Sequence, residues 1–213
     1  MAYTSINKSA DYFTTHLYSG NDSTNNQTSL GMTPDLVWVK CRNHATPSHY
    51  MVDKVRGDRE YISSNNTNEE ATDGNTFDLV SGGFNLAGGN GWTNVSGRNY
   101  VAWNWKAGTT GSGTTTGSGT GQSYNYSVDT TAGFSIVKYG GNGTAGHTIP
   151  HHLGVAPAFI MVKALDSTQN WRIYHHKNTS APETDEIYLD ITNATTDTNT
   201  AWNDTAPTSS VFT

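Results

Sequence analysis

The chain has 213 residues and 23.0 kDa, enough for one large domain or two small ones. Only 34% of it is hydrophobic and 14% charged, while Thr, Asn and Ser make up about a third and Gly adds 22 residues, which suits short strands joined by many turns and argues against a helical bundle. Aromatics at 11% exclude a disordered chain, and a net charge of −6 with no Lys/Arg-rich run makes nucleic acid a poor partner.

Met1 to Phe13 has neither a basic start nor an apolar run, so it does not read as a secretory signal, and no apolar stretch is long enough for a membrane helix. The expectation is a protein made in the cytoplasm. A single cysteine, Cys41, leaves no disulfide framework and no thiolate zinc site, and its apolar neighbours make it a small buried hydrophobe.

In chain order, Leu36 to Cys41 is a short apolar run after Pro34 and reads as a mid-sheet strand. Asp53-Lys54-Val55-Arg56-Gly57 places opposite charges on a turn, and an Asp53–Arg56 ion pair that pins the loop is expected there. Tyr100 to Trp105 has strand composition, and its alternation sets Val101, Trp103 and Trp105 on one face, assigned to a sandwich core.

Residues 108–121 carry no apolar side chain and read as a flexible Gly/Thr/Ser linker. Beyond it, Phe134 to Tyr139 and Tyr188 to Ile191 have strand composition, and Phe159 to Ala164 reads as a second mid-sheet strand.

The chain also matches itself. Leu30 to Lys40 aligns without a gap on Leu153 to Lys163, sharing the Leu-Gly, Pro and Val-Lys positions. With a two-residue indel, Phe13, Tyr18, Gly20 and Asn21 fall opposite Phe134, Tyr139, Gly141 and Asn142; downstream, Tyr50 can be set opposite Trp171, Tyr61 opposite Tyr188, and Phe84 opposite Phe212. The expected fold is all-β: two tandem β-sandwiches, residues 1–107 and 122–213, joined by the linker. The second copy reaches Thr213 without an equivalent of Tyr100 to Trp105. Its final strand is expected either from a longer polypeptide or from a neighbouring subunit.

Chemical motifs are sparse. Gly141 to Gly146 matches G-x-G-x-x-G, but Pro150 follows where a phosphate-binding helix would begin, so it reads as a glycine-rich hairpin. The pairs His151-His152 and His175-His176 lack the spacing for one metal, because adjacent strand residues point to opposite faces. Asp53, Glu69, Glu70, Asp185 and Glu186 could supply a glycosidase pair, yet they lie in polar stretches and read as solvated charges. Neither a cofactor nor catalysis is expected. Aromatic rings stack on sugars, and Trp92, Trp171, Tyr174 and Trp202 lie near polar or turn residues, which makes them the binding candidates.

Leu30 to Lys40, His49 to Gly57 with Tyr61 to Asn65, Asn99 to Gly108, Gly146 to Lys163 and Asn203 to Phe212 together resemble a repeated domain of structural proteins of tailed, especially marine, bacteriophages. That resemblance implies a non-enzymatic virion protein, surface-exposed as a tail fibre or receptor-binding component, with other virion proteins as partners. It also implies a homo-oligomer, trimeric by analogy with phage fibres, with host-surface polysaccharide as a candidate ligand. Two alternatives remain open: a capsid-attached decoration or fibre protein, and a carbohydrate-binding module of a larger secreted protein.

Overall fold

The computed structural model describes residues 6–74, 76–88 and 90–213. It is all-β, built from antiparallel sheets, with only two single-turn helices, Ser9–Asp11 and Pro182–Thr184, among the described residues. No helix among them is long and apolar enough to cross a membrane. The chain divides into two compact units between Ala107 and Gly108, with Leu165–Ser167 grouped with the first.

The strands of the first unit are β1 (Phe13–Ser19), β2 (Asn25–Gln27), β3 (Leu36–Cys41), β4 (Tyr50–Asp53), β5 (Gly57–Ile62), β6 (Ala71–Thr72), β7 (Phe77–Val80), β8 (Gly83–Leu86) and β9 (Asn99–Trp105). They form a six-stranded sheet in the order β1-β9-β3-β4-β5-β6 and a three-stranded sheet β2-β8-β7. Val37, Val39, Tyr50, Val52, Tyr100 and Ala102 of the larger sheet share one buried cluster with Phe77, Phe84 and Leu86 of the smaller. This is a sandwich whose β-branched residues alternate inward along β3 and β4. Cys41, 2% exposed, belongs to the same cluster.

The inward face of β9 is the reverse of the one expected. Tyr100, Ala102 and Asn104 are fully buried, while Trp103 and Trp105 lie half-buried on the opposite face. The Tyr100 hydroxyl accepts the Val95 N–H at 3.0 Å and Asn104 Nδ2 donates to Ala102 O at 3.0 Å, while Asn104 Oδ1 is buried without a hydrogen-bond partner. A thin core against Phe84 thus takes a tyrosine, an alanine and an amide, and the bulkier indoles turn outward.

The second unit holds β10 (Thr109–Thr114), β11 (Thr116–Gly117), β12 (Ser123–Asp129), β13 (Phe134–Tyr139), β14 (His147–Pro150), β15 (Phe159–Val162), β16 (Arg172–His175), β17 (Asp185–Tyr188), β18 (Thr196–Asp197) and β19 (Val211–Phe212). Its sheets run β10-β12-β13, β11-β14-β19 and β15-β16-β17-β18. Ile149, Tyr174, Trp202 and Phe212 form its core, with Val137, Tyr139, Ile160 and Val162 packed against them.

Two expectations change here. Residues 108–121 do not form a flexible linker, since Thr109–Thr114 pairs along its whole length with β12. The reason lies in the partner: Gly111 faces Tyr126 and Gly113 faces Tyr124, and a β-carbon at either glycine would come within 2.6 and 2.7 Å of the tyrosine hydroxyl oxygen. The rings lie over the bare glycine backbone and supply the apolar cover that the segment itself lacks. In addition, β15 is terminal in its sheet rather than central, whereas β3 sits between β9 and β4.

Candidate functional site: an aromatic sheet face

The outward face of the six-stranded sheet follows from its register. Phe13 is opposite Trp105, Leu17 opposite Val101, and Trp103 opposite both Thr15 and Trp38, so these residues project to one side. The Phe13 and Trp105 rings are 5.0 Å apart, Trp105 and Trp38 6.4 Å, and Trp38 and Trp103 5.8 Å in an edge-to-face contact. Phe13 is 38% exposed and Leu17 57%, while the three indoles are half-buried. The result is a continuous aromatic strip with two accessible apolar side chains at its β1 edge. Surfaces of this kind stack on sugar rings or on other apolar faces.

One side of the strip is anchored by His49. Trp38 Nε1 donates to His49 Nδ1 at 3.0 Å, and Ser64 Oγ reaches the same nitrogen at 2.9 Å. An indole N–H can only donate, so Nδ1 is the unprotonated nitrogen and the imidazole is neutral. Burial, reinforced by the neighbouring Lys40 ammonium, pulls the His49 pKa down from 6.5 to about 4. The orientation of Trp38 is therefore tied to a histidine that stays uncharged at neutral pH.

The four aromatic residues singled out from the sequence are not part of this strip. Trp171, Tyr174 and Trp202 are 3%, 4% and 2% exposed, so their expected role as exposed binding rings is corrected. Tyr174 and Trp202 meet edge-to-face at 5.7 Å in the core of the second unit, and the backbone N–H of Trp171 donates to Asp190 Oδ1 at 3.1 Å. Polar neighbours in sequence mark turn positions, but in a unit with so few apolar residues the large rings are what fill the interior. Trp92 is half-buried beside Tyr61 and lines a shallow pocket of about 270 Å³ with Thr46, Pro47, Ser48, Gly91 and Arg98.

Asp53 and Arg56 meet through Arg56 Nε, and Asp53 Oδ1 also accepts the Val55 and Arg56 N–H groups at 3.0 and 2.9 Å. The guanidinium bonds further to Glu70 Oε1 and to the Met51 carbonyl, both at 3.0 Å. Glu70 is therefore not a solvated charge but one arm of a buried network in which the Arg56 and Asp53 side chains are each 5% exposed. Asp185 likewise departs from the solvated reading: it is 4% exposed and accepts bonds from Asn178 Nδ2 at 2.7 Å and Thr179 Oγ1 at 2.9 Å. Glu186 pairs with Arg172, and Glu69 is exposed.

The histidines have structural partners. His151 is buried, its Nδ1 accepting the Leu153 N–H and its Nε2 donating to Thr208 O, both at 3.2 Å; His152 stacks on Tyr126 at 3.7 Å. Among the described residues no group of three or more His, Cys, Asp or Glu side chains could hold a metal ion. Gly141 to Gly146 forms the connection between β13 and β14, closed by Asn142 Oδ1 accepting the Thr144 N–H at 2.9 Å, with no helix after it.

One family model, a domain of unknown function designated DUF7483, matches residues 8–213 and so spans both units. The chain belongs to the DUF7483 family. No curated protein and no solved structure matches it significantly.

The alternation along Tyr100 to Trp105 assigns Trp103 and Trp105 to the core, and this hides the aromatic strip in the sequence. A signal was present in β3: Lys40 alternates with Trp38 and Leu36, opposite Val37, Val39 and Cys41. A lysine on the tryptophan side marks the face that meets water.

Proposed function

We propose that this chain is a non-enzymatic structural protein of a tailed-bacteriophage virion. It is displayed at the surface as a tail fibre or receptor-binding component and engages host-surface saccharide through the aromatic strip of its first unit. Two tandem β-sandwich repeats, assembled with other virion proteins and with further copies of the chain, make up its architecture. The observation that carries the reading is the strip itself, Phe13-Trp105-Trp38-Trp103 with exposed Leu17, on a sheet whose other face is the core. The resemblance of Leu30 to Lys40 and Asn99 to Gly108 to the phage repeat supports it. So does the engagement of Asp53, Glu70 and Asp185 in structural bonds, since a hydrolase needs a carboxylate pair facing its substrate.

The same strip favours a second reading, a carbohydrate-binding module attached to a secreted enzyme. Binding of the chain to cell-surface polysaccharide, followed by tryptophan fluorescence, tests the saccharide step. Phe13→Ser and Trp105→Ala are expected to weaken it by about tenfold or more, a loss typical of one stacked ring. Unchanged binding in both variants, or no binding to any bacterial surface saccharide, overturns the assignment of the strip.

A further inference from the structure

In the first unit β9 fills the place between β1 and β3, with Tyr18 opposite Tyr100 and Tyr100 opposite Cys41. Tyr18, Val37 and Val39 are consequently 8%, 0% and 1% exposed. The alignment of Leu30 to Lys40 on Leu153 to Lys163 sets Val37 and Val39 on Ile160 and Val162, and both pairs face their unit's core. Similarly Tyr18 falls on Tyr139, again core-facing in both units. The pairings run in parallel as well: β3-β4-β5-β6 and β15-β16-β17-β18 are successive neighbours, and β2 pairs with β8 as β14 does with β19.

What differs is the position of β9. In the second unit β13 is terminal in β10-β12-β13, and β15 is terminal in its own sheet. Val137, Tyr139, Ile160 and Val162 pack on the core yet stay only partly buried, and Phe159 is 50% exposed. Two sheet edges and a partly uncovered apolar surface thus stand where the first unit has a strand. A sheet edge presents rows of N–H and C=O groups that an extended peptide satisfies, and alternating side chains beneath it give selectivity.

We propose that β13 and β15 form an acceptor site for one extended polypeptide strand of the β9 type. Its inward side chains are an aromatic and a small residue, as Tyr100 and Ala102 are, set between Val137 and Tyr139 on one side and Ile160 and Val162 on the other. This rests on the correspondence of strands and is independent of the virion reading.

The test uses the full chain and a capped synthetic peptide of residues 99–106, with amide hydrogen exchange as readout. The peptide is expected to slow exchange in Ile136–Tyr139 and in Phe159–Val162 by about tenfold or more, and the same peptide carrying Ala102→Pro is expected to do neither. Protection of only one of the two strands, or of β1 and β3 instead, overturns the proposal. A second form guards against weak binding in trans: the peptide is appended after Thr213 through a copy of the Ala87–Arg98 connection. That fusion is expected to protect both strands and raise the thermal midpoint, and unchanged exchange in it refutes the site.

Discussion

The indole N–H of Trp38 donates to Nδ1 of His49 at 3.0 Å, so a half-buried acceptor on the loop between β3 and β4 holds the central ring of the aromatic strip. This bond exists only while His49 is neutral. The folded pKa is about 4 against 6.5 for the free side chain, so between these values the unfolded chain binds the proton and the folded chain does not. Stability is therefore fully present above pH 6.5 and falls as the pH drops from 6.5 toward 4. His49→Gln, which keeps an acceptor for Trp38 without a titrating ring, is expected to flatten that fall; denaturation midpoints across the range check it, and identical slopes in both proteins would contradict the assignment.

Tyr126 is pinned between Gly111 on one side and His152, stacked at 3.7 Å, on the other. Gly111→Val forces a branched side chain into the ring, and a destabilisation of about 1–3 kcal/mol is expected. Adding Tyr126→Ser should recover part of it, since the two changes share one contact. A Gly111→Val chain that melts like the parent would show that residues 109–114 do not lie under the tyrosines.

Arg56 is the charge on which Asp53 and Glu70 converge. Arg56→Met leaves the buried Asp53 carboxylate and the partly buried Glu70 carboxylate without this cation and is expected to cost about 3–5 kcal/mol. Arg59→Ala removes the exposed pair with Asp78 at 3.0 Å and should cost no more than about 1 kcal/mol. Equal effects of the two substitutions in urea titrations would count against the buried network.

The two faces of the first unit's large sheet should respond differently to truncation. Phe84→Ala opens a cavity in the core and is expected to cost about 3–5 kcal/mol, whereas Leu17→Ser, at a side chain already 57% exposed, should stay within about 0.5 kcal/mol. Comparable losses at both positions would mean that the outward face is covered by a packed element.

The sequence announced the all-β class through its turn-forming residues and short apolar runs, and it gave the Asp53–Arg56 turn through charge spacing. Which side of β9 faces inward was not legible: alternation defines two faces, and only the packing of Tyr100 and Ala102 against Phe84 decides between them. The strand at Thr109–Thr114 was hidden for a different reason. Its cover comes from Tyr124 and Tyr126 on another strand, so nothing within the segment itself signals pairing. Trp171, Tyr174 and Trp202 show the same limit, because a polar sequence neighbourhood says little about burial when a few rings must fill the core.

The virion assignment is tested most directly by immunogold labelling of intact phage particles, purified from the source of this sequence, with antibody raised against the chain. Label on the tail or its fibres, together with recovery of the chain in the particles' mass spectrum, is the expected result. Particles that carry neither the label nor the chain, while both are found in the soluble fraction, would contradict it.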